Sequence, residues 1–287
     1  MEGVDDLFRR LEQLNEIGAA LSLEKNLDAL LEKILLAAQT ITRADGGTLY
    51  LLEEGTRLRF AIMRNESLGI AMGGTTSVEI PFYPVQLYGK DGNPNNQMVA
   101  ARSALTGETI NIADAYTTEG FDFSGTRNFD KKTGYRSRSF LTVPMRNHEG
   151  AVIGVLQLIN CKSLLDGEIV AFSYSDQRLA ESLASQAAIA LTNRQLIIQL
   201  EQLFESFIGL INSAIDEKSP YTGGHCQRVP TLTMLLAEAA ARSNSPALGG
   251  FSLSDSDRYE LKIAGLLHDC GKITTPVHVV DLSLIHI

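Results

Sequence analysis

The chain has 287 residues, 44% hydrophobic and 21% charged, with a formal net charge of −9. At roughly 100–200 residues per domain this length implies about two domains; the composition excludes a disordered or collagen-like chain, and the acidity argues against binding to nucleic-acid polymers. Three cysteines without a C-x-x-C pair, no basic start before an apolar run and no apolar stretch near ~18–20 residues point away from a disulfide scaffold, secretion or membrane insertion and toward the cytoplasm.

The first predicted element is a helix through Leu7, Leu11, Leu14 and Ile17, spaced by three and four. A second helix starts behind Asn26, a favourable N-cap, and carries Leu27, Leu30, Leu31, Ile34 and Leu35. After Asp45-Gly46-Gly47, the segments 48–52 and 58–62 read as two strands of a hairpin around Glu54-Gly55. Residues 64–96, rich in Gly, Pro and Asn, read as a long loop of functional type with a short strand at 77–82. A helix over 98–106 stops at Gly107, a strand follows at 109–112, and 113–133 reads as irregular. Segments 137–145 and 151–160 form a second hairpin whose last strand is buried.

From Ser175 to about Asp216 only Gly209 interrupts a helical pattern. Leu183, Ala190, Ile197, Phe204 and Ile211 recur every seven residues, with Leu200, Phe207 and Ala214 between them and Gln186 and Asn193 at the earlier equivalents. That heptad predicts a helix of ~40 residues able to form a parallel homodimer seam; the alternative is a buried helix of one domain running into the next. Residues 218–281 read as helical. They hold six basic and six acidic side chains, so residues 1–217 carry the whole −9, a shift that supports two modules.

Leu266-Leu267-His268-Asp269-Cys270-Gly271-Lys272 places an imidazole and a carboxylate side by side at a helix end, a pair able to ligate one metal and bridge to a second. Lys272 adds a cation where a phosphate would sit. Upstream, Pro220-Tyr221-Thr222-Gly223-Gly224-His225-Cys226-Gln227-Arg228-Val229 supplies another histidine just inside a helix. Together the two motifs resemble the HD superfamily of metal-dependent phosphohydrolases, in particular its HD-GYP branch. The resemblance implies His225, His268 and Asp269 as metal ligands, Asp269 and Lys272 as catalytic residues with Lys272 on the substrate phosphate, and Arg228 and Tyr221 as structural. It also implies two divalent ions (Mn, Fe or Mg) and a cyclic dinucleotide or related phosphoester substrate. A thiolate site on Cys226 or Cys270 is the alternative. The family's later ligands and its GYP motif would lie beyond Ile287, since His278 and His286 come too early and 282–287 departs from the pattern. The expectation is a truncated, inactive fragment of an active parent.

In the first module, residues 105–116, 129–135, 143–145 and 154–160 resemble the GAF domains of cyclic-nucleotide phosphodiesterases and adenylyl cyclases. Asn160, Lys162, Phe172 and Asp176 match their signature, with Cys161 inserted and Gln177 in place of a Glu. The resemblance implies a sheet of about six antiparallel strands flanked by helices, and a Lys162–Asp176 pair as structural support. A pocket roofed by 111–135 would take cAMP or cGMP. Asn111, Asp114, Asp130 and Thr133 are its candidate polar contacts, Phe129 its stacking ring, and helix-start amides its phosphate donors. His148 on a turn makes haem a weak option. The expected architecture is therefore α+β: an N-terminal helix over 1–20, a GAF sensor over 21–195, a connecting helix over 176–217, and an all-α HD-domain fragment over 205–287. The alternatives are a non-catalytic nucleotide-binding module and a dimerisation module.

Overall fold

The computed structural model describes residues 2–218, 224–243, 245–276 and 279. It divides into two compact units, Met1–Gln195 and Leu196–Ile287. Tyr221, His278, His286 and the tail 282–287 lie outside the described residues. No helix of the described residues is long and apolar enough to cross a membrane.

The first unit is α+β. Helices α1 (Glu2–Leu23) and α2 (Leu27–Thr42) precede an antiparallel sheet. The Asn26 side chain accepts the Ala29 amide at 2.9 Å, supplying the cap that the sequence predicts for α2. Strands β1 (Ala44–Glu53), β2 (Arg57–Asn65), β3 (Ile70–Gly73), β5 (Ile110–Ile112), β6 (Phe140–Arg146) and β7 (Val152–Lys162) form the path β3-β2-β1-β7-β6-β5. The short β4 (Val85–Gln86) pairs with β2, and β8 (Ile169–Val170) with β7, so the sheet has eight strands rather than about six. Between strands lie α3 (Val99–Thr106), ended by Gly107 in the left-handed conformation, and α4 (Ser124–Thr133).

Three local expectations need correction. The strand expected at 77–82 does not form; β3 and β4 flank that stretch instead. Residues 113–133, expected to be irregular, contain α4, whose single large apolar side chain Phe129 leaves no periodic stripe to read. The first strand of the first hairpin, expected over 48–52, begins earlier, so Gly46 and Gly47 lie inside β1. A Cβ on Gly47 would come within 2.8 Å of Leu35 and 3.1 Å of the Gln157 carbonyl, so only glycine lets β1 approach both α2 and β7.

The strand period of two sorts side chains onto two faces. Leu49, Leu141, Val143, Leu156 and Leu158 join Leu30, Ile34, Leu35, Leu183 and Ala187 in the helix-side core. Tyr50, Leu58 and Val155 pack with α3 on the other face, and Ile112, Phe123 and Phe140 form a separate cluster. Helix α5 (Tyr174–Lys218) begins in the first unit and ends in the second. The second unit also holds α6 (His225–Ala241) and α7 (Asp255–Leu267), the latter closed by a Ser254–Asp257 capping box. Gly265 of α7 lies against Pro230 of α6, where a Cβ would be 3.0 Å from the proline Cα.

Candidate ligand cavity and candidate metal centre

A cavity of 420 Å³ opens in the first unit on the sheet face opposite α2 and α5. Its floor is Gly46, Thr48 and Tyr50 of β1, Phe140 of β6, and Gln157 and Ile159 of β7. These residues alternate with the core leucines, so strand pleat alone places them there. Phe60 rises from β2 against Tyr50, with ring centroids 4.7 Å apart, and Phe82 lies beyond it at 5.5 Å, its ring tilted by 46°. Asp122, Phe123, Gly125, Thr126 and Phe129 form the opposite wall at the start of α4. With Tyr83 and Tyr135, eight of the chain's 11 phenylalanines and 8 tyrosines line this one space. An apolar, aromatic-lined cavity of this size suits a small planar molecule.

Of the five ligand contacts predicted from sequence, only Phe129 lines the cavity. Asn111 donates to the Phe172 carbonyl at 3.2 Å and to Gln177 at 3.3 Å, tying β5 to the start of α5. Asp114 accepts the Tyr116 amide at 2.9 Å and pairs with Arg138 at 3.1 Å. Asp130, 4% exposed, accepts the Tyr116 hydroxyl at 2.7 Å and both the amide and hydroxyl of Ser137 at 2.8 Å. The Thr133 hydroxyl donates back to the Phe129 carbonyl at 2.9 Å. All four are engaged in holding the wall rather than facing the space. Thr48, Tyr50, Phe60 and Gln157 were missed, although the alternation in both hairpins puts them on one face.

The signature residues brace this frame. Asn160 has a positive φ of 59°, a conformation asparagine tolerates, and its side chain accepts the Arg138 amide at 2.7 Å and donates to the Arg136 carbonyl at 2.8 Å. Phe172 is buried in the helix-side core. The expected Lys162–Asp176 pair does not form. Lys162 pairs with Asp45 at 2.6 Å and Glu66 at 2.7 Å. Asp176 pairs with Arg10 of α1 and with Arg43 at 3.3 Å, and takes the Ser173 amide and hydroxyl at 2.9 and 2.7 Å. Arg10 also donates through Nε to the Ile41 carbonyl at 2.7 Å. The physical reason is reach: two guanidinium groups already surround Asp176, while Asp45 stands beside Lys162 at the neighbouring strand end.

In the second unit, His225, His268 and Asp269 converge. The two Nε2 atoms are 3.2 Å apart, and Asp269 Oδ2 is 3.2 Å from His268 and 3.5 Å from His225. Donors bound to one cation at about 2.1 Å stand about 3.0–3.4 Å apart for angles of about 90–109°. The three donors therefore fit a single divalent ion. His268 Nδ1 meets the Gly265 carbonyl at 2.7 Å. A carbonyl only accepts, so Nδ1 carries the proton and Nε2 presents its lone pair. Lys272 Nζ lies 2.6 Å from Asp269 Oδ2. Burial works to raise the Asp269 pKa, but the hydrogen bond and charge of Lys272, joined by the charges of the two histidines when these are protonated, outweigh it and hold the carboxyl below its usual range. Cys226 is buried and Cys270 exposed, and neither belongs to this cluster. Burial and the nearby Asp216 push the Cys226 thiol up, which disfavours a thiolate ligand.

The sequence matches the GAF domain family over residues 26–191. Dual 3′,5′-cyclic-AMP and -GMP phosphodiesterase 11A of Takifugu rubripes is 28% identical over 207 residues, covering 71% of this chain and 21% of that protein. The cGMP-specific 3′,5′-cyclic phosphodiesterase of Drosophila ananassae is 28% identical over 145 residues, 48% of this chain and 11% of the relative. The chain thus spans about a fifth or less of the length of these curated relatives. The GAF domain of a phosphoenolpyruvate-protein phosphotransferase (ptsP) from Coxiella burnetii superposes with a TM-score of 0.50 at 14% identity, covering 66% of this chain and 96% of that one, a likeness of fold.

Proposed function

The chain belongs to the GAF domain family, and from that premise we propose that it is a ligand-sensing regulatory protein whose cavity takes a 3′,5′-cyclic purine nucleotide such as cAMP or cGMP. The observation that carries this reading is the aromatic cavity on the sheet, in a region similar to phosphodiesterases of those nucleotides. Phe129 and its neighbours offer stacking faces. The first turn of α4 has Phe123 as N-cap, a residue with no capping side chain, so the Gly125 and Thr126 amides are available to a phosphate. Asp122 accepts the Ser124 amide with one oxygen and can accept a ribose hydroxyl with the other.

In the second unit the convergence of His225, His268 and Asp269 supports a divalent metal centre (Mn, Fe or Mg) of an HD-type phosphohydrolase. Such an ion supplies Lewis acidity and a water of lowered pKa. Lys272, beside Asp269, is placed for a phosphate of a cyclic dinucleotide or related phosphoester. Helix α5 conveys the state of the cavity to this centre, and the exposed apolar stripe on its later turns pairs two copies of the chain.

Thermal melting of the full chain tests both sites. A cyclic purine nucleotide at about a hundred times its Kd raises the midpoint by about 5–10 °C, and Mn²⁺ raises it separately. Phe129→Ala removes the first shift only and His268→Ala the second only. No shift with any cyclic nucleotide contradicts the sensor. No shift with Mn²⁺, or one that survives His268→Ala, leaves a non-catalytic binding module.

A further inference from the structure

Three polar side chains share one register row of the sheet, and two of them, Thr48 and Gln157, line the cavity floor. Thr48 of β1 stands opposite Gln157 of β7, and Gln157 opposite Thr142 of β6. Each occupies the strand face away from the helix-side core, between aromatic neighbours Tyr50 and Phe140. Gln157 lines the cavity and is only partly buried in a strand whose flanking residues Leu156 and Leu158 are fully buried. Polar groups at the base of an apolar pocket are unfavourable unless something pairs with them.

The hydrogen bonds of Gln157 can be counted. A carboxamide offers two N–H donors and an oxygen with two lone pairs. Nε2 donates to the Thr142 hydroxyl at 3.1 Å, and Oε1 accepts the Tyr50 hydroxyl at 3.3 Å. These contacts orient the group, nitrogen toward β6 and oxygen toward β1. One N–H and one lone pair are left side by side at the floor.

We propose that Gln157 is the specificity-determining residue of the cavity, reading the edge of a planar heterocycle that presents a donor next to an acceptor. This rests on the nucleotide reading above and extends it. Adenine presents its exocyclic N–H beside a ring nitrogen, and guanine its N1–H beside O6. A purine without an exocyclic group presents ring acceptors alone there, so it satisfies the N–H of Gln157 and leaves its lone pair unmet. Thr142 and Tyr50 are positioning residues that hold the carboxamide in this orientation.

Calorimetric titration of the full chain with cAMP, cGMP and purine-riboside 3′,5′-cyclic monophosphate tests the assignment. The wild type binds cAMP or cGMP at least about tenfold tighter than the unsubstituted analogue. Gln157→Met, of similar length and without hydrogen-bonding capacity, binds all three within about twofold of one another while keeping its stacking contacts. A residue that merely supports the fold would weaken all three equally and keep the wild-type ratio. That result overturns the assignment, as does a wild type that does not distinguish the analogue, a comparison needing no variant to fold. If the wild type binds none of the three, the nucleotide reading itself fails, and this one with it.

Discussion

Tyr135 joins the cavity to a buried charge cluster. Its ring lines the space and its hydroxyl donates to Asp45 at 2.5 Å. Asp45, 1% exposed, also receives Lys162 at 2.6 Å and the Ser67 hydroxyl at 2.5 Å. Burial and then the Asp45 hydrogen bond push the Tyr135 phenol up. Burial opposes the charge on Lys162, but Asp45 and Glu66 outweigh it and raise its pKa as well. Both groups hold their protons more tightly folded than unfolded. Their contribution is complete below about pH 10 and is lost as pH rises through the raised values. Tyr135→Phe therefore costs about 1–2 kcal/mol at neutral pH but shows a shallower loss of stability above about pH 10, as denaturant melts across pH will show. An equally steep alkaline decline in the variant would contradict this. Sequence alone identified Lys162 and Asp176 as important yet paired them with each other. Nothing local announces that Arg10, 166 residues away, reaches Asp176. Asp130 misled for the same reason: a carboxylate near an aromatic reads as a ligand contact until its three donors are seen.

At the scale of elements, the strong periodic signals survived and the weak ones did not. Both hairpins and the long helix were legible because alternation and heptad spacing follow directly from backbone geometry. Helix α4 was not, since its faces are set by tertiary contacts of a mostly polar segment. The expected heptad through Leu183, Ala190, Ile197, Phe204 and Ile211 does not run as one seam: its early positions are buried, and the most exposed stripe beyond them is shifted by one residue, keeping Leu200 and Phe207 but replacing Ile197, Phe204 and Ile211 with Leu196, Leu203 and Leu210. Leu183 and Ala190 are buried in the first unit's core. Farther on, Leu196, Leu200, Leu203, Phe207 and Leu210 are 51–70% exposed and spaced four, three, four, three. Ile208 and Asn212 are buried, so the second unit covers a different side of α5. A 4-3 apolar stripe is the pattern that can pair with its own copy in a two-stranded coiled coil. Sedimentation at micromolar concentration should give a dimer, and Leu200→Glu with Phe207→Glu a monomer of unchanged helix content. A monomeric wild type, or a dimeric double variant, argues against the seam.

Across the whole molecule, architecture was more legible than site. Composition and motif spacing pointed to a GAF module followed by a helical one, and the family match over residues 26–191 shows the GAF domain of the first. The convergence of His225, His268 and Asp269, the candidate metal centre, needed only two short motifs, because each of these residues sits within a few residues of a helix end. The cavity drew instead on β1, β2, α4, β6 and β7, a convergence that only the folded sheet creates. Hydrogen–deuterium exchange of the full chain, with and without a saturating cyclic purine nucleotide, tests the central claim most directly. The segments that overhang the sheet, 77–86 and 121–137, should exchange more slowly with nucleotide present, because Phe82, Tyr83, Asp122 and Phe129 close on it. Unchanged exchange there, or protection confined to 225–272, would contradict a sensor built on this cavity.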